Sequence, residues 1–134
     1  MNLLSAFKNH QRISVYMINH NKISILGITI DKENFPKLYN RAKENPQMLE
    51  LQLEIVAKSW STKSIKSVMQ TIENGKPIMI LGEKLDPLYY PVLYKWAKEN
   101  PETLESQLKS IAKAWHEGSI RSAMQALESD LEHG

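Results

Sequence analysis

Apolar residues recur along this chain with two different periods. At Ile23 to Ile30, and again at Ile78 to Leu85, they crowd into short runs rich in β-branched and aliphatic side chains, which predicts one strand in each place. After each run the spacing changes to three and four. Phe35, Leu38, Tyr39 and Ala42 fall at i, i+3, i+4 and i+7, the signature of one apolar helix face, and Tyr90, Leu93, Tyr94 and Ala97 repeat it. A second stripe, Leu49, Leu53, Val56, Ala57 and Trp60, is matched by Leu104, Leu108, Ile111, Ala112 and Trp115. A third, Ile65, Val68, Met69 and Ile72, is matched by Ile120, Ala123, Met124 and Leu127. Each stripe is expected to be a core face, with Trp60 and Trp115 as buried anchors.

Polar punctuation separates these segments. Asp31 and Asp86 stand where an acidic side chain can cap the first helix of each set. Asn45-Pro46 and Asn100-Pro101 combine a good N-cap with a residue suited to the first helical position, so the second helices are expected to begin there. Asn74-Gly75-Lys76-Pro77 reads as a helix stop and a link. Gly27 and Gly82, each inside a predicted strand, are expected to mark a bulge or a close helix approach.

The two sets of segments are copies. With a shift of 55 residues, 23–73 aligns with 78–128 without a gap, and 26 of 51 positions are identical. The leading residues differ: Ile13 to Ile18 predicts a strand, and Asn19-His20-Asn21-Lys22 a turn into the first repeat strand. A lone two-stranded ribbon is marginal in water, so the strand of the second copy is expected to join or face it. Units this small bury little surface unaided, so the copies are expected to share one core about an approximate two-fold axis. The expected fold is α+β and mainly helical, a duplicated strand-helix-helix-helix unit around a small antiparallel ribbon or sheet. The expected organisation is one domain over 1–134, with a leading segment 1–22, a first unit with its linker 23–77 and a second unit 78–134.

A strand followed by two helices, given twice at 23–60 and 78–115, is similar in order to the ribbon-helix-helix DNA-binding unit. That resemblance implies paired strands laid in the major groove. The chain departs from it in its third helix, in the Asn-Pro between helices, and in strand faces such as Ile25, Gly27, Thr29 and Ile80, Gly82, Lys84, which offer few groups that read bases.

Composition narrows the chemistry. The 134 residues are 42% hydrophobic and 24% charged, which fits a folded chain and argues against a disordered or fibrous one. No apolar run approaches a membrane span, and the first residues do not read as a secretory signal. The absence of cysteine removes disulfides, thiolate catalysis and cysteine-ligated zinc, and it fits a reducing compartment; the expected location is cytoplasmic. His10, His20, His116 and His133 form no metal-ligand spacing, and no phosphate loop or nucleophile motif occurs. Glu50 and Glu54 share a helix face, but Glu105 and Lys109 take their places in the second copy, and Glu54 with Lys58 suits an exposed ion pair. No cofactor, metal or membrane partner is expected, and an enzyme is the least favoured class.

Charge supplies the binding expectation. The net charge of +2 divides into +5 for residues 1–77 and −3 for 78–134, and the first 30 residues hold no acid. Lys58, Lys63 and Lys66 surround a Ser/Thr-rich turn, with Gln70 one turn on; Arg12 and Lys22 lie earlier, and Lys113 and Arg121 are the cations left at the corresponding turn of the second copy. These eight are the candidate macromolecule-binding residues. Lys43/Lys98, Glu44/Glu99, Gln52/Gln107, Ser67/Ser122 and Gln70/Gln125, kept between the copies, are candidates for two like surfaces. The favoured function is a non-catalytic binding or regulatory protein acting on a protein partner. The alternative is a DNA- or RNA-binding regulator using the basic front half. The opposed charges also predict homo-oligomers.

Overall fold

A computed structural model describes residues 17–115 and 118–133 of the chain. The fold is mixed α+β. Among the described residues five short strands form two antiparallel sheets, and six helices make up most of the rest. Strands β1 (Met17–Asn19), β2 (Lys22–Ile25) and β3 (Ile28–Asp31) form one sheet in that order; β4 (Ile78–Ile80) and β5 (Glu83–Leu85) form the other. Each run expected to be one strand is therefore a hairpin. The chain reverses at Leu26-Gly27 and at Leu81-Gly82, where all four residues have positive φ (54°, 77°, 50° and 81°). Positive φ at both central positions defines the type I′ turn, whose twist matches paired strands. A Cβ at Gly27 or Gly82 would meet nothing within 4 Å, so these glycines serve the turn and not a close approach. Leu26 and Leu81 accept the strained conformation while packing against the cores, which offsets its cost.

The leading hairpin forms in part: β1 pairs with β2 through Met17 with Ile23 and Asn19 with Lys22. The rest of that expected strand, from Ile13, lies outside the described residues. The second-unit hairpin does not join this sheet, so the ribbon shared between copies in the ribbon-helix-helix arrangement is not formed.

Helices α1 (Pro36–Glu44), α2 (Pro46–Ser59) and α3 (Ile65–Asn74) pack on one another, as do α4 (Pro91–Glu99), α5 (Pro101–Ala114) and α6 (Ile120–His133). The stripes read from the sequence face inward. Leu38, Leu53, Leu93, Leu104 and Leu108 are fully buried, each worth about 1.5–3 kcal/mol in transfer from water. Asn45 caps α2 by accepting from the Met48 N–H (3.1 Å), whereas Asn100 caps α5 with no side-chain hydrogen bond. Gly75 ends α3 in an extended conformation; a Cβ there would lie 2.5 Å from the Thr71 carbonyl oxygen, so space is what selects glycine.

Asp31 and Asp86 are not the helix caps expected. Asp31 Oδ2 accepts from the Asn34 N–H (3.1 Å) and Asp86 Oδ1 from the Leu88 N–H (2.9 Å), so both shape the turn before the helix. The first helical N–H groups are satisfied from far along the chain. Glu73, near the end of α3, accepts from the Lys37 and Leu38 N–H groups at 3.1 and 2.9 Å. Glu128 on α6 accepts from Val92 and Leu93 at 3.2 and 2.9 Å. Both glutamates are buried, 5% and 4% exposed, among apolar side chains. Carboxyl oxygens accepting from the orphan N–H groups of a helix start are the arrangement that makes such burial tolerable. Two tyrosines add a like pair of ties: the Tyr39 hydroxyl donates to the His20 carbonyl, and the Tyr94 hydroxyl donates to that of Lys76.

The buried residues gather in two clusters instead of the one core expected, and the first includes Leu88 and Val92 from the second unit. Around that seam Arg41 donates to the Leu88 carbonyl (2.8 Å) and stands 5.5 Å from the centre of the Tyr89 ring. The Trp60 indole N–H donates to the Pro91 carbonyl (3.3 Å). The corresponding positions 55 residues away are Glu33, Pro36 and Lys37, all exposed, and Trp115, 41% exposed. The seam thus joins unlike faces and does not repeat one contact about the expected two-fold axis. Trp115 accordingly is not the buried anchor that its stripe implied.

Candidate functional site

Two open grooves of about 800 Å³ lie on the molecule, at places 55 residues apart in sequence. The first runs between β3 and α3: Gly27, Ile28 and Thr29 form one wall, Lys66 and Gln70 the other, and Asn34-Phe35 one end. The second runs between β5 and α6, with Gly82, Glu83 and Lys84 facing Arg121 and Gln125, and Tyr89-Tyr90 at the end. The hairpin turn positions one wall, the amphipathic third helix the other, and the buried glutamate ties that helix to the start of the first helix of its unit, α1 or α4.

The lining chemistry differs. The first groove is polar, with Thr29, Asp31, Glu33, Asn34 and Asn74 around Lys66 and Gln70. The second adds Met79, Tyr89, Tyr90 and Met124 to the charged Glu83, Lys84, Arg121 and Glu132. Met79 and Tyr89 are 66% and 59% exposed, which leaves apolar surface facing water inside a concavity. Arg121 Nε lies 3.4 Å from Glu83 Oε2 and ties helix to strand. Farther along α6, Glu128 and Glu132 meet as neighbouring carboxyls. Burial, and then the hydrogen bond and charge of Glu132, push the Glu128 carboxyl up to about 9. Glu128 therefore keeps its proton near neutral pH.

Of the eight candidate residues, the structure places Lys66 and Gln70 together in the first groove and Arg121 in the second. Lys66 shares its groove with Asp31 and Glu33, which offsets its charge toward a phosphate. Lys22, Lys58, Lys63 and Lys113 are exposed on β2, α2, the turn before α3 and α5. Arg12 lies outside the described residues, as do His10 and His116; His20 and His133 are exposed. Among the described residues no group of three or more histidines and acids is placed to hold a metal ion. No described helix is long and apolar enough to cross a membrane.

Sequence reasoning passed over Glu73 and Glu128. Their signal was present: both are identical between copies, both follow the last apolar residue of the third stripe, and neither Phe35 nor Tyr90 before the first helices is a capping residue. Met79 and Tyr89 left no such signal, because exposure of an apolar residue depends on what packs against it. Comparison of the chain with protein-family models, with curated proteins and with solved structures gave no match.

Proposed function

We propose that this chain is a non-catalytic binding protein, one domain built from a duplicated unit, that acts by engaging a protein partner through its second groove. The observation that carries the reading is Met79 and Tyr89 standing exposed within a concave site that also holds Tyr90 and Met124. Tyrosine, methionine and arginine are residues that protein interfaces favour. The first groove, at corresponding positions but polar, offers a second and chemically different surface. The duplication supplies the means: one scaffold, two grooves, free to diverge.

The test is affinity capture with the immobilised chain after nuclease treatment in moderate salt. A captured protein that survives both treatments and is lost with Met79→Glu supports the reading. Loss of all binding on nuclease treatment, together with oligonucleotide binding that falls steeply with salt, overturns it in favour of the nucleic-acid alternative.

A further inference from the structure

We infer that the second groove receives its partner as an extended peptide that adds to the free edge of β5, with α6 as the opposite wall. The inference rests on the protein-partner reading and specifies its chemistry. β5 is an edge strand, since its sheet has only two members. The reversal at Leu81-Gly82 makes Ile80 and Glu83 the hydrogen-bonded pair that closes the turn. Bonded and non-bonded pairs alternate along an antiparallel ladder, so Met79 and Lys84 form the non-bonded pair. The Lys84 N–H and C=O therefore point away from β4, and Lys84 lines the groove. No described backbone or side chain hydrogen-bonds to the main chain of β5 from that side. An unpaired edge beside a groove walled by a helix is the setting in which extended peptides are bound by strand addition.

The groove also states which peptide. From Arg121 to Glu132 α6 rises about 16 Å, the length of about five extended residues. Side chains of an added strand alternate between two faces, and Met79, Tyr90 and Met124 offer apolar contact to one set. Glu132, near the end of α6, lines the groove together with Tyr89 and Tyr90, a place for a lysine or arginine side chain. The first unit has Pro77 where the second has Glu132, so the second groove carries an acid that the first lacks at that place. The occupant is an extended, alternately apolar segment of about five residues with a basic residue at one end.

The probe is a fluorescein-labelled peptide of seven residues with alternating valine and threonine and a lysine at one end, tested with the lysine first and last. Binding is followed by anisotropy, and hydrogen exchange is read at the Lys84 amide. One orientation is expected to bind and to slow exchange at Lys84. Methylating the peptide's alternate amide nitrogens, or Lys84→Pro, is expected to weaken binding about tenfold or more, whereas Lys84→Thr stays within about twofold. Glu132→Gln, or glutamate for the peptide's lysine, is expected to weaken it about three- to tenfold. The methylated peptide keeps the question decidable should the proline variant fail to fold. Equal binding of the methylated peptide, or no binding in either orientation, overturns the inference. A captured protein that leaves Lys84 exchange unchanged overturns strand addition while leaving the protein-partner reading standing.

Discussion

Trp60 and Trp115 hold the same place in two segments that share half their residues, and they meet opposite fates. Trp60 packs against the first core, donates its indole N–H to Pro91 and lies under Lys95 at 5.7 Å, while Trp115 is exposed. The cause is what covers each unit. The face of α1 and α2 receives Leu88 and Val92 of the second unit; the corresponding face of α4 and α5 receives no such pair among the described residues. Leu88 and Val92 in turn replace Glu33 and Lys37, which face solvent. Two segments of similar amphipathic pattern thus differ at Glu33/Leu88 and Lys37/Val92, where one docks on the other. Identity between the two segments falls on buried positions such as Leu38, Leu53 and Met69 and on exposed ones such as Lys43, Lys58 and Gln70 alike.

The deepest break in that comparison comes from the buried carboxylates. Glu73→Ala removes the acceptor for two helix-start N–H groups, that of Leu38 buried and that of Lys37 partly so, and is expected to cost about 3 kcal/mol in urea denaturation. Glu128→Ala should cost a similar amount if the two devices are equivalent, and a difference above about 1 kcal/mol would show that the seam redistributes the load.

The second test uses what only the second unit has. The Glu128 carboxyl is raised to about 9 by burial and by Glu132, against 4.5 for the free group. Between those two values the folded chain holds a proton that the unfolded chain has released, so stability is fullest below about 4.5 and declines as pH rises toward about 9. Glu132→Gln removes the neighbouring charge and should flatten that decline, measured as denaturation midpoint against pH. An unchanged slope would mean that the pair is not coupled.

The smallest effects distinguish the tryptophans. Trp60→Phe loses the indole hydrogen bond and part of the contact with Lys95, and is expected to cost about 1–2 kcal/mol. Trp115→Phe is expected to stay within about 0.5 kcal/mol. Equal costs would show that Trp115 has a partner the described contacts do not include.

Much of this architecture could be read in the residues. Helical stripes, the breaks at Asn45-Pro46 and Asn100-Pro101, and the mixed class follow from periodicity and backbone preference, which act over a few residues. The hairpins escaped, because an apolar run broken by Leu-Gly looks like one strand until the backbone signs at Leu26, Gly27, Leu81 and Gly82 are known. The candidate site was half legible: Lys66, Gln70 and Arg121 line grooves, but so do Met79, Tyr89 and Tyr90, which sequence pattern assigns to no surface.

The sequence by itself determined the helix faces and the breaks between helices, since both depend on neighbours within one turn. Tertiary structure alone decided that Glu73 and Glu128 reach helix starts some 35 residues away, that the units meet through unlike faces, and that two hairpins stay in separate sheets. Those outcomes depend on which surfaces exclude water from one another. Because the net gain is a small difference between large terms, local sequence rules do not carry it.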